Sequence, residues 1–215
     1  MDRQSRAHLT QLYRRSLERH GPTARGQRWA SEESQRERFR LLTGILPATG
    51  APSCSLADVG CGVGDLLEFL RGRGSRARYE GFDIVPEMIG AARRKQRGRG
   101  GRFQVRDVLR EGFPRRYDYV VASGIFNLRV PRHDLFFRGM VEAMYAACRC
   151  GVAFNVLHPV DPEASGAYEQ YFKTNYFGAT PVELLSLGAS VGAWVELAFS
   201  DELPRDTTVL LRRPA

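Results

Sequence analysis

The residues best suited to chemistry begin at Asp58-Val-Gly60-Cys61-Gly62-Val-Gly64-Asp65, a run that follows a short apolar stretch and opens a helical pattern. Glycine at alternate positions lets the chain turn sharply and bring its backbone against a ligand without a side chain in the way. The spacing is not that of the dinucleotide fingerprint GxGxxG, whose third glycine falls where this chain has Asp65. An acid at Asp58, just ahead of the loop, suits a cationic group better than a pyrophosphate. Asp83 follows about 25 residues later, at the end of Tyr79-Glu-Gly-Phe82, where a carboxylate can accept hydrogen bonds from both hydroxyls of a ribose. After a similar interval comes Asp107, in Phe103-Gln-Val-Arg-Asp107-Val108. It can accept from an adenine amino group, with Val108 as an apolar wall. A single acid at a strand end is most often a helix cap or a surface residue. Three in succession, each after a strand–helix unit, point to one shared ligand.

The elements that must position these acids read as alternating strands and helices from Ser55 onward. The expected strands are Leu56–Val59, Ala77–Phe82, Phe103–Val105, Tyr117–Ala122, Cys150–Leu157, Ser190–Ala198 and Thr207–Arg212. Helices are expected near Asp65–Arg71, Pro86–Arg97, Arg132–Ala147 and Pro181–Gly188, with Pro86 and Pro181 in first-turn positions. Such alternation implies a doubly wound, mostly parallel α/β sheet covered on both faces. The last two strands are joined by too short a segment for a parallel crossover, so they should be antiparallel neighbours. Two N-terminal helices precede this core. Leu9, Leu12, Tyr13, Ser16 and Leu17 lie on one face of the first, and the second starts at Ser31 or Ser34, with Ser34-Gln-Arg-Glu37 as a capping box. We assign residues 1–46 as a helical cap over one edge of the core. Residues 159–178, polar but carrying Tyr168, Tyr171, Phe172, Tyr176 and Phe177, read either as a lid or substrate insertion or as a surface helix with core aromatics.

At 215 residues with 43% hydrophobic and 26% charged content, the chain fits a single globular domain spanning 1–215. It shows no bilayer-length apolar stretch and no signal-peptide core, which leads to the expectation of a cytoplasmic protein without a membrane partner. Cys54, Cys61, Cys148 and Cys150 have no metal-ligand spacing and read as small buried thiols, so no metal site is expected. The net charge of +8 comes almost wholly from arginine. The arginine runs over 71–78 and 93–102 fall between expected elements and read as solvated loops and helix ends rather than a nucleic-acid surface.

On DVGCGVGD, GFDIVPEMI, VRDV and the following Tyr117-Asp-Tyr-Val-Val-Ala-Ser123-Gly, the chain resembles the class I, Rossmann-like S-adenosylmethionine (SAM) methyltransferases over roughly residues 36–213. The resemblance implies a seven-stranded sheet ordered 3-2-1-4-5-7-6 with the last strand antiparallel, and SAM as cofactor with S-adenosylhomocysteine as product. It also implies that Asp58 and the loop of Gly60, Cys61, Gly62 and Gly64 serve the methionine end, and that Asp83 with Ile84 binds the ribose side. Asp107 and Val108 would frame the adenine, and the backbone at Ser123 would line the methionyl side. Some members close an aromatic and an arginine from an N-terminal helix over the cofactor. Trp29 and Arg38 are the candidates here, with core packing and surface charge as equal explanations.

Methyl transfer to oxygen or to an ammonium nitrogen requires loss of a proton, hence a base within reach. His158, after the strand Cys150–Leu157, is the first candidate, followed by His133 and Tyr168. A hydrogen-bonded structural role for His158 is the plainer alternative. Enzymes that methylate base amines or protein glutamine carry Asn/Asp-Pro-Pro-Tyr/Phe after the fourth strand, where this chain has Ser123-Gly-Ile-Phe126-Asn127. The expectation is therefore a small-molecule acceptor with an O or N nucleophile, of the natural-product kind, with Phe126, Tyr168 and Tyr171 as candidate pocket walls. An RNA methyltransferase and a non-catalytic SAM-binding regulatory or partner protein remain the alternatives, and an NAD-linked oxidoreductase is disfavoured by the glycine spacing. Oligomeric state is left open.

Overall fold

The computed structural model describes residues 3–48, 53–159 and 166–214, with the side chains of Tyr168 and Glu169 outside the description. Helix α1 (Arg3–His20) is followed by a 3-10 turn over Arg25–Gln27 and by α2 (Glu32–Leu42). The cap of α2 is Ser31, whose side chain accepts from the Ser34 backbone while the Ser34 hydroxyl accepts from the Ser31 N–H. The expected box at Ser34 therefore sits three residues too late, because Ser34 is already the inner partner. Glu37 instead pairs with Arg40 at 2.7 Å.

The alternating part comprises β1 (Ser55–Val59), α3 (Asp65–Gly72), β2 (Arg78–Asp83), α4 (Pro86–Lys95), β3 (Arg102–Val105), α5 (Val108–Glu111) and β4 (Tyr117–Ala122). It continues with α6 (His133–Ala147), β5 (Cys148–Leu157), α7 (Ala167–Asn175), α8 (Pro181–Ser190), β6 (Trp194–Ala198) and β7 (Asp206–Arg212). These strands form one seven-stranded sheet in the order β3-β2-β1-β4-β5-β7-β6. β1 to β5 pair in parallel and β7 runs antiparallel to both β5 and β6, as the short final connection requires. The strand expected over Ser190–Ala198 starts only at Trp194. Thr180, capping with Glu183, starts α8, which carries on to Ser190, and Gly192 at φ 73° makes the turn before the strand.

Every residue of β1 is buried, as both faces of a central parallel strand must be. On one face Ala57, Val120, Val152, Phe154 and Val209 pack against Phe137, Met140 and Val141 of α6 and Leu184 and Leu187 of α8. On the other, Leu56, Val121, Ala153 and Leu210 pack against Phe39 and Leu42 of α2 and Leu66, Leu67 and Leu70 of α3. Alternation along each strand thus assigns every side chain a face, and with it an environment. Cys61 and Cys148 are buried as expected, whereas Cys54 is half-buried and Cys150 is exposed. No helix among the described residues is long and apolar enough to cross a membrane, and no described group of three or more His, Cys, Asp or Glu could hold a metal ion.

Candidate active site

After β1 the chain turns on Gly60, Gly62 and Gly64, all at positive φ (72°, 53° and 80°). The first turn is tied to the neighbouring strand, where Phe82 O accepts from Gly60 N at 2.7 Å and from Cys61 N at 3.0 Å. Asp83, at the end of β2, then accepts from Gly62 N (3.0 Å) and Val85 N (2.9 Å). One carboxylate so holds the glycine loop and the entry to α4 together. Burial pushes its pKa up to about 6, against the lowering effect of the Val85, Gly62 and Ile84 backbone N–H groups.

Above this junction lies a cavity at the carboxyl ends of β1, β2 and β4, the position where open α/β sheets bind ligands. Its wall includes Gly60, Gly62, Asp83, Ile84, Asp107, Val108, Ser123 and Trp29 from the residues marked in the sequence. The wall also contains Tyr13 of α1, Gln27 and Arg28 before α2, Arg106, and Asn127 and Leu128, none of which the sequence singled out for the site, together with Tyr176 of the expected insertion. The last three come together because the segment after β4 pairs with the segment after α7. Leu128 bridges Tyr176, and Asn127 O accepts from Phe177 N at 2.9 Å.

From the N-terminal cap, Tyr13, Gln27, Arg28 and Trp29 reach this cavity, while α2 packs on the sheet through Phe39 and Leu42. Gln27 Oε1 accepts from Val63 N at 3.0 Å, and its Nε2 donates to Asp65 at 2.7 Å, stitching the N-terminal segment to the glycine loop. A Cβ on Gly62 would stand 2.2 Å from Gln27 Oε1, so a side chain here would displace the Gln27 amide, besides being strained at this positive φ. Trp29 lies over Gly124, where a Cβ would come within 2.7 Å of the indole. Arg38 stacks on Trp29 at 5.1 Å and forms a buried ion pair with Asp206, which also accepts from Asn155 Nδ2 at 2.9 Å. Asn155 Oδ1 in turn accepts from Gly124 N at 2.9 Å. Arg38 is therefore not itself on the wall; it supports Trp29 from behind. Tyr13, in the wall near Asp83, has its hydroxyl pKa pushed up to about 12, chiefly by burial.

Several sequence candidates lie elsewhere. Asp58 shares the strand face of Leu56, opposite to Val59 on the cavity wall, and accepts a hydrogen bond from Tyr79 Oη in the core. Burial pushes its carboxyl up to about 7. Cys61 packs in that same core cluster, and Gly64 caps α3. His133 is buried at the start of α6, where Nδ1 accepts from Val130 N and the ring stacks on Phe177 at 4.1 Å. Burial lowers its pKa to about 4, so it is neutral. His158 lies beyond β5, with its ring 6.4 Å from that of Phe199 and outside the cavity wall. Of the three expected pocket walls, Phe126 is fully buried against Phe137 and Phe154, and Tyr171 is 57% exposed on α7. The side chain of Tyr168, and residues 160–165 of the expected insertion, lie outside the described residues.

Residues 56–151 match the family described as "Methyltransferase domain". Rv1506c, a Mycobacterium tuberculosis protein that bears a methyltransferase name, is 39% identical over 107 residues, 48% of this chain and 63% of that protein. The malonyl-[acyl-carrier protein] O-methyltransferase of Acetivibrio thermocellus is 29% identical over 92 residues, 43% of this chain and 32% of the relative. In both cases the match spans less than two thirds of the relative's length. The fold is similar to that of the magnesium protoporphyrin IX methyltransferase of Synechocystis with bound S-adenosylhomocysteine, at TM-score 0.66 and 16% identity, covering 85% of this chain and 84% of that one. The sheet order and the loop after β1 define a class I, Rossmann-like methyltransferase fold. Over residues 56–151 the chain is similar in sequence to that methyltransferase family.

Proposed function

We propose that this chain binds SAM in the covered cavity and transfers its methyl group to an oxygen or nitrogen of a small molecule. The observation that carries the reading is one continuous wall formed by Gly60, Gly62, Asp83, Ile84, Asp107, Val108 and Ser123 at the strand ends. The donor set fits the cofactor. Asp83 offers a carboxylate to the ribose hydroxyls, and Ser123 Oγ is a buried polar atom with no protein partner. Ile84 and Val108 are the apolar wall residues that would hold an adenine, with Asp107 as the acceptor for its amino group.

SAM, when bound, supplies a methyl group activated by the sulfonium. The protein's own work is orientation and exclusion of water. Trp29 and Tyr13 cover the site from the N-terminal segment, and Tyr176 closes it from the segment after α7. Tyr13 stays protonated at neutral pH and serves as a hydrogen-bond donor rather than a base. Neither His158 nor His133 belongs to the wall, so neither histidine is placed to act as the base.

The small-molecule reading is further supported by how the arginine runs are spent. Arg71 donates to Ser75 O and Ala77 O, Arg93 to Phe103 O, and Arg73 lies over the Phe69 ring. Calorimetric titration with SAM, S-adenosylhomocysteine and NAD tests the assignment. Saturable binding of both adenosyl ligands and none of NAD is expected. Asp83→Ala should abolish or greatly weaken SAM binding while circular dichroism stays unchanged; wild-type affinity in that variant would remove the ribose assignment.

A further inference from the structure

Two buried side-chain oxygens on the cavity wall, Ser123 Oγ and Asn127 Oδ1, have no hydrogen-bond partner in the protein. A native fold rarely leaves such atoms unpaired, because each has given up water without a replacement. Ser123 ends β4 and belongs to the proposed cofactor side. Asn127 is four residues further on, where its own backbone oxygen is already taken by Phe177 N and where Leu128 is bridged to Tyr176. Its neighbours on that side of the wall, Leu128, Val130, Phe136 and Tyr176, carry no charge, and three of them are apolar.

Building on the proposed function, we propose that Asn127 is the acceptor-recognition residue, and that its Oδ1 takes the hydrogen bond of an O–H or N–H on a neutral, aromatic acceptor. A neutral carbonyl oxygen in an apolar wall attracts a donor and disfavours a carboxylate or phosphate, which would face it with like polarity. Arg28 and Arg106 are the cations of the wall that could argue for an anion. Arg28 is exposed, where water screens its charge, and Arg106 donates to Glu111 O and Gly112 O. Tyr176, on the adjacent bridge, gives a flat acceptor a ring to lie against.

The test uses the full chain saturated with S-adenosylhomocysteine and three probes: 2-naphthol, 2-naphthylamine and 2-naphthoate. Binding is followed by calorimetry in wild type, Asn127→Ala and Asn127→Asp. The expected result is binding of naphthol and naphthylamine but not naphthoate, with a loss of about tenfold in Asn127→Ala. Affinity for S-adenosylhomocysteine should be unchanged in both variants, and Asn127→Asp should retain the neutral probes because it keeps an acceptor oxygen. Preference for naphthoate, no binding of any probe, or equal naphthol affinity in Asn127→Ala would overturn the inference while leaving the proposed function standing. Loss of S-adenosylhomocysteine affinity in Asn127→Ala would make the residue part of the cofactor site instead. Failure of the wild type to bind S-adenosylhomocysteine would remove the proposed function and this inference together.

Discussion

Burial raises the Asp83 carboxyl to about 6, and the N–H groups of Val85, Gly62 and Ile84 hold it from rising further. This has a consequence for ligand binding. Ribose hydroxyls donate to the ionised form, so binding favours loss of the proton and lowers the pKa in the complex. Affinity for SAM is then fully present above about pH 6 and is lost as the pH falls through that value, by up to about tenfold per unit. Titrations at pH 5, 6, 7 and 8 should show this slope, and Asp83→Asn should flatten it. A flat wild-type profile would mean that the carboxylate is spent on Gly62 and Val85 and does not meet the ribose. Asp83 stood out in the sequence as one of three successive acids at strand ends, and the structure places it on the cavity wall. The opposite orientation of Asp58 was also implicit, since alternation from Val59 turns it to the other face. Its partner Tyr79 was not, because nothing local indicates which residue of β2 lies beside it.

At the scale of elements, the N-terminal segment matters most. Helix α2 faces the sheet with Phe39 and Leu42, and on the same helix Arg38 reaches Asp206 of β7 and the Trp29 ring. Asp206 is 4% exposed, so removing its cation would leave a buried charge without compensation. Arg38→Ala is expected to cost about 3–5 kcal/mol in urea denaturation. It should also release Trp29 from its support. In a Trp194→Phe background, which removes the other, exposed tryptophan, the Trp29 emission should shift to the red in Arg38→Ala and its response to SAM should shrink. An unchanged Trp29 spectrum would show that Gly124 and the wall hold the indole without Arg38. The sequence marked both residues, with closure over the cofactor, core packing and surface charge as equal explanations. The support role depends on Asp206, 168 positions away from Arg38, which no local pattern can indicate. The end of α8 was missed for a more local reason. Ser190 and Val191 fit a strand by residue type, but the helix started by the Thr180–Glu183 box and Pro181 is already under way and continues to Ser190.

For the whole molecule, the open issue is the net charge of +8. Arg71, Arg93 and Arg99 donate to the backbone carbonyls of Ser75, Phe103 and Lys95, which ties these guanidinium groups into the fold. A phosphate-tracking surface would need free cations aligned along a groove. Single-stranded RNA should accordingly show no saturable binding at about 150 mM salt, judged by fluorescence anisotropy of a labelled oligonucleotide. Saturable binding with a steep salt dependence would restore the RNA reading. The same scale explains the cavity's composition. Its wall draws on α1, the segment before α2, the ends of β1, β2 and β4, and the turn after α7, so no stretch of sequence contains it.

The sequence by itself determined the alternation of strands and helices, the antiparallel last pair, the glycine loop and the acids at the strand ends. Each of these rests on a short-range regularity: side-chain period, the φ requirement of glycine, or the length of a connection. Only the tertiary structure decided that the N-terminal segment covers the cavity, that Tyr13, Asn127 and Tyr176 line it, and that His133 and His158 do not. Those outcomes depend on which distant segments pack against which face, and packing of that kind is set by the burial of the whole chain at once.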